Sequence, residues 1–254
     1  MLKAIVGNST AADVKAAAKE AAKGMKGADM AFVYSGEQYD QTELIKAIKT
    51  EMPGTPLIGN TSFTGVITPA GYISGDNGFL GIMSLEDTAL TVGVAGMPIQ
   101  DAGPRATGKM VAKKAMQKAN KTCAPAYFYM SAPSGTEEYY LKGIEEVIGR
   151  VPFFGGSAAD NAIAGNWTVY TDDYQEPDGI SVAFFYTDKP FANEFTGAYT
   201  ETANSGVITK LDGDRTLCEI DGMPALKKYQ EWTGASDEAV SGGNLLGTCV
   251  TAPL

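Results

Sequence analysis

Gly155, Gly156, Ser157 and Asp160 fall within the stretch Val151-Pro-Phe-Phe-Gly-Gly-Ser-Ala-Ala-Asp-Asn161, where an apolar run breaks into small and polar residues. Such a run delivers a strand end into a tight, concave loop. Adjacent glycines permit backbone angles and close approaches that a side chain forbids. The backbone N–H groups of such a loop suit a carboxylate, and the Asp160 carboxylate suits an ammonium, with the Ser157 hydroxyl between them. The same residue types also make an ordinary glycine turn closed by a hydrogen-bonded Ser and Asp. An upstream echo favours the ligand reading. Thr55-Pro-Leu-Ile-Gly-Asn-Thr-Ser62 repeats the grammar and adds Gly59, Asn60, Thr61 and Ser62 as binding candidates. The strand ends at Ser35 and Ser131 would border the cleft, and Arg150 or Arg105 offers an alternative clamp for a carboxylate.

Several other chemistries are excluded or poorly matched. The chain has no histidine, which removes Ser-His-Asp triads, Cys-His dyads and every histidine-containing metal site. Cys123, Cys218 and Cys249 are too scattered for a zinc or iron–sulfur motif, and they fit a reducing compartment. Ser157 sits in Gly-Gly-Ser-Ala-Ala, which is not a nucleophile elbow. Gly103-Pro-Arg-Ala-Thr-Gly-Lys-Met110 approaches a phosphate-binding loop but lacks the hydroxyl residue after Lys109. Asp172-Asp173 and Asp212-Gly-Asp214 lack the spacing of a calcium loop. A net charge of −10 argues against nucleic acid and against an anionic membrane surface. No apolar run approaches a membrane span, and no signal segment opens the chain. No cofactor and no metal is expected, and an enzyme is the less favoured reading.

The elements that must position these residues come twice. Leu2–Gly7, a helix over 11–24 capped by Ser9 or Thr10, the strand Ala31–Tyr34 and a helix capped by Thr42 lead to the first glycine loop. Leu90–Ala95, a helix over 105–119, the strand 124–131 and a helix beginning near Thr136 lead to the second. A hairpin through Phe63–Ile67 and Tyr72–Ser74 follows the first loop, and Trp167–Thr171 follows the second. Phe79–Ser84 then matches Ile180–Phe185. The spacing predicts a tandem repeat over 1–88 and 89–188. The fold class is α/β, two β-α-β-α-β-β-β units with their sheets face to face between helical layers, or alternatively a single continuous sheet with helices outside. A connector precedes a hairpin around Asp212-Gly213 and a helix from Pro224 through Trp232. The apolar stretch Leu245–Leu254 closes the sequence.

Phe154-Gly-Gly-Ser-Ala-Ala-Asp160, Pro56-Leu-Ile-Gly-Asn-Thr-Ser62 and Glu219-Ile-Asp-Gly-Met-Pro-Ala-Leu226 together resemble the FIST family of intracellular signal-transduction sensor domains. The resemblance implies an N-terminal sensor region within 1–195 and a partial C-terminal region over 196–254. It also implies a small ligand, amino-acid-like, and a signalling partner. In the first loop Asn60 stands where the family commonly has Cys, and Val66 stands where a Glu is common. The expectation is a cytoplasmic sensor for a small polar metabolite. The alternatives are an enzyme using carboxylate or tyrosine chemistry in the same cleft, and a scaffold that binds a partner through its C-terminal segment.

Overall fold

A computed structural model describes residues 2–254, which form two compact units divided between Glu194 and Phe195. The first unit runs β1 (Lys3–Ser9), α1 (Val14–Ala21), β2 (Met30–Ser35), α2 (Gln41–Glu51), β3 (Leu57–Thr61), β4 (Val66–Thr68), β5 (Gly71–Ile73) and β6 (Leu80–Glu86). It continues with β7 (Thr91–Met97), α3 (Pro104–Lys118), β8 (Tyr127–Pro133), α4 (Glu137–Ile148), β9 (Phe153–Ala158), β10 (Val169–Thr171), β11 (Gln175–Glu176) and β12 (Ile180–Tyr186).

The caps explain the helix starts. Asp13 accepts from the Ala16 N–H and Asp40 from the Glu43 N–H, so these acids cap α1 and α2. Ser9 instead donates to Glu20 at 2.5 Å, and Thr42 lies inside α2, so both helices start later or earlier than the hydroxyl residues suggested. Pro104 opens α3, where its missing N–H costs nothing. Each helix then buries one face, through Leu44, Ile45 and Ile48 on α2 and through Tyr140, Ile144 and Ile148 on α4.

The two main sheets share one order and one set of senses. The first reads β1-β6-β2-β3 and the second β7-β12-β8-β9. In each, the last pair is parallel (β2 with β3, β8 with β9) and the other pairs are antiparallel. Strand alternation then sorts the core into layers. Ala31, Val33 and Leu57 pack under α1 and α2, and Phe128, Met130 and Val182 under α3 and α4. Met30, Phe32, Ile58, Val94, Tyr129, Ala183 and Phe185 fill the space between the sheets. The arrangement is therefore helices, sheet, sheet, helices, an α/β fold.

Two placements differ from the sequence reading. β10 does not stay with the second sheet; it pairs antiparallel with β3 and extends the first sheet to β11. Three residues carry too little periodicity to declare which sheet they join. In addition, Ser35 and Ser131 do not correspond. Ser35 has the parity of Val33 and faces the helices, whereas Ser131 has the parity of Tyr129 and faces the other sheet.

The second unit contains β13 (Ile208–Asp212), β14 (Thr216–Ile220), β15 (Met223–Pro224), α5 (Ala225–Thr233) and α6 (Asn244–Thr251). The turn uses Gly213 at φ 63°, and the apolar end of the sequence forms α6.

Candidate functional site

The residues singled out from sequence gather near the carboxyl ends of β2, β3, β8 and β9, but they fall into three environments. The first lies between the sheets. Tyr34 donates to the Tyr129 hydroxyl at 3.1 Å, and Tyr129 donates to Asn60 Oδ1 at 3.3 Å. Ser131 donates to the same oxygen at 2.9 Å, and Asn60 Nδ2 donates to the Thr61 carbonyl. Burial, reinforced by Tyr34, pushes the Tyr129 hydroxyl well above its usual pKa, so it stays a protonated donor. The network is a closed polar seam across the core.

The second environment faces α2. Ser35 Oγ donates to Gln41 and lies 3.0 Å from the Tyr170 hydroxyl, both serine and tyrosine being fully buried. Gly59 is where β3 meets this ring. A Cβ there would stand 1.7 Å from the Val33 carbonyl oxygen and 2.8 Å from Tyr170 Cε2, so the position admits only glycine. Thr61 Oγ1 accepts from the Thr168 N–H, and Ser62 donates to the Gly65 carbonyl.

Asp160, expected as an ammonium partner, belongs to neither. It is fully buried, and its carboxylate accepts from the N–H groups of Ala162, Ala164, Gly165 and Asn166. Burial raises its pKa, but these donors outweigh that and hold the carboxyl below its usual range. The charge is spent on folding the 160–166 loop. Arg105, the suggested carboxylate clamp, is paired with Glu146 on α4.

The third environment is open. Gly155, Gly156 and Ser157 are exposed on β9, the edge strand of the second sheet. They line a cavity of about 240 Å³ with Met130, Glu137, Leu141, Phe153 and Phe154. Ser157 donates to Glu137 Oε1 at 2.6 Å, and Glu137 Oε2 accepts from the Gly135 N–H at 2.7 Å. Met130, Leu141 and Phe153 make the other wall apolar. The cavity therefore has one acidic end, one apolar wall and one strand edge, a combination suited to a small amphoteric molecule.

The FIST N domain matches residues 29–223, a span that contains every residue of this cavity and of the seam. The chain belongs to the FIST family. FIST domains are sensor-type domains, and in this one the span runs past the division at Glu194 as far as Met223. No curated protein matches the chain. Among solved structures, a cyanuric acid hydrolase from A. caulinodans is similar at 12% identity and a TM-score of 0.42, covering 76% of this chain and 69% of the hydrolase.

Sequence reasoning missed four residues of this FIST domain. Tyr34 and Tyr129 read as core or pocket wall, although two tyrosines near the ends of neighbouring apolar strands do need hydroxyl partners. Glu137 read as a helix-start acid; its approach to Ser157 depends on the α4–β9 contact. Glu37 has one carboxylate oxygen on the Asn161 N–H at 3.3 Å and the other, Oε2, buried with no partner among the described residues. Nothing in its local sequence signals that placement. A larger cavity of about 830 Å³ lies in the second unit, walled by Tyr199, Ile208, Leu217 and Trp232. Among the described residues no group of acids and cysteines is placed to hold a metal, and no helix is long and apolar enough to cross a membrane.

Proposed function

We propose that this FIST domain senses a small amino-acid-like metabolite in the cytoplasm and passes the signal to a protein partner. The observation that carries the reading is the β9 cavity, with Glu137 and Ser157 at one end and Met130, Leu141 and Phe153 along one side. The ligand ammonium would add to the Glu137 carboxylate in a charge-assisted hydrogen bond. Its carboxylate would take outward N–H groups on the free side of β9, and its side chain would lie on Leu141 and Phe153. The volume suits a molecule of amino-acid size. The polar seam behind the cavity holds the two sheets in fixed relation, so the site is built on rigid strands rather than on a mobile loop.

A thermal-shift screen against amino acids and small carboxylates tests this. A ligand at a hundred times its dissociation constant adds about 2.7 kcal/mol, enough for a visible rise in midpoint. The shift should vanish in Glu137→Gln and the compound should be recovered unchanged. Turnover of the compound would favour an enzyme instead.

A partner-binding role for the second unit has its own support. Leu246, Val250 and Leu254 are 61%, 61% and 72% exposed, and they lie in the same unit as the larger cavity. Apolar exposure of this kind suits contact with a protein surface more than with a polar metabolite.

A further inference from the structure

The first sheet continues past β3 because β10 is added to it, whereas the second sheet stops at β9. These two strands hold the same place in sheets of the same order. Each lies parallel to its neighbour, and each carries a glycine pressed against that neighbour. A Cβ on Gly59 would be 1.7 Å from the Val33 carbonyl oxygen, and one on Gly155 would be 1.9 Å from that of Met130. What lies beside β3 is Val169-Tyr170-Thr171, with Tyr170 opposite Gly59.

The hairpin β4–β5 follows β3 as β10–β11 follows β9, and its first strand reads Val66-Ile67-Thr68. Each hairpin also packs on the sheet built by the strands around it in sequence. Val66 packs on Gly81 of β6, and Tyr174 packs on Gly96 of β7. Their outcomes differ. Tyr170 is 0% exposed under its pairing, whereas Ile67 is 88% exposed and Tyr72 is 59% exposed. The chain thus shows a sheet edge at β9 with no further strand beside it, where Phe153 and Phe154 are exposed and Asn193 donates to the Phe153 carbonyl, and a hairpin with Ile67 and Tyr72 exposed. The cavity beside Gly155 is the counterpart of the seat that Tyr170 fills beside Gly59.

We propose that a second copy of this chain covers the edge: the β4–β5 hairpin of one molecule adds antiparallel to β9 of the other. The register copies the one seen at β3, with Val66 opposite Gly156, Ile67 opposite Gly155 and Thr68 opposite Phe154. Strand addition satisfies the open backbone groups of β9, and Ile67 enters the cavity against Met130, Leu141 and Phe153. The partner is a second copy because edge and hairpin belong to one chain and are not paired with each other in it: β4 pairs with β5, and β9 with β8. Exchange in both directions closes the pair. The pairing rests on the matched topology and needs no ligand; Ile67 and a small ligand are alternative occupants of one cavity.

Sedimentation of the full chain without ligand tests the proposal, alongside Ile67→Asp. The substituted side chain is at the surface, so the circular dichroism spectrum should be unchanged. The wild type should sediment at twice the 26.7 kDa of one chain, or more, and Ile67→Asp at 26.7 kDa. A wild type at 26.7 kDa up to high micromolar concentration would overturn the proposal. So would an assembly that Ile67→Asp leaves intact. Ligand binding is read separately by running the thermal-shift screen on Ile67→Asp, whose cavity no hairpin fills.

Discussion

Tyr34 on one sheet and Tyr129 on the other meet hydroxyl to hydroxyl at 3.1 Å, and Tyr129 in turn donates a hydrogen bond to Asn60 on the first sheet. The relay crosses the apolar layer and returns. Removing the Tyr129 hydroxyl takes away one partner of Asn60 and the acceptor of Tyr34 together. Tyr129→Phe should therefore cost about 1–3 kcal/mol of stability in urea unfolding. Tyr34→Phe should cost less, because Tyr129 keeps its acceptor. Equal and negligible losses in both variants would show that the seam holds nothing.

The glycines of the two loops separate sharply. Gly59→Ala places a methyl group into the Val33 carbonyl and the Tyr170 ring and should cost more than about 3 kcal/mol, from strain and lost packing. Gly156→Ala meets nothing within 4 Å and should fold normally. Denaturation midpoints of the two variants check this. Equal tolerance would mean that β3 does not sit as close to β2 as described.

Asp160 carries a pH signature. Its native pKa lies below the unfolded value because four backbone donors stabilise the carboxylate. Its contribution is then fully present above the unfolded pKa of about 3.9 and lost as pH falls from there through the native value. Asp160→Asn should be less stable than the wild type at neutral pH, and the gap between their midpoints should close in acid. A gap that stays constant with pH would contradict the charge-based account.

Much of the fold was legible because apolar runs such as Ala31–Tyr34 and Ile180–Phe185 have no reading except buried strands, and the Ala/Lys segments none except helices. The helix starts were less so, since Asp13, Asp40, Ser9 and Thr42 are all capping types, and tertiary contacts select among them. The site was half legible. Gly155, Gly156 and Ser157 do line the open cavity, whereas Asn60, Thr61, Ser35 and Ser131 are spent inside the core. Asp160 as a loop carboxylate was one of the two readings the stretch allowed, and the N–H groups of Ala162, Ala164 and Gly165 converge on it. The position of Glu137 beside Ser157 was not legible: it depends on contacts between residues 20 positions apart along the chain.

The central claim is that ligand charge is read at Glu137 and not at Asp160. Calorimetric titration of the amino acid that gives the largest thermal shift, into wild type, Glu137→Gln and Asp160→Asn, tests it most directly. Binding should weaken by about tenfold or more in Glu137→Gln, roughly 1.4 kcal/mol. The affinity of folded Asp160→Asn should match the wild type. Unchanged binding in Glu137→Gln, or loss confined to folded Asp160→Asn, would contradict the account.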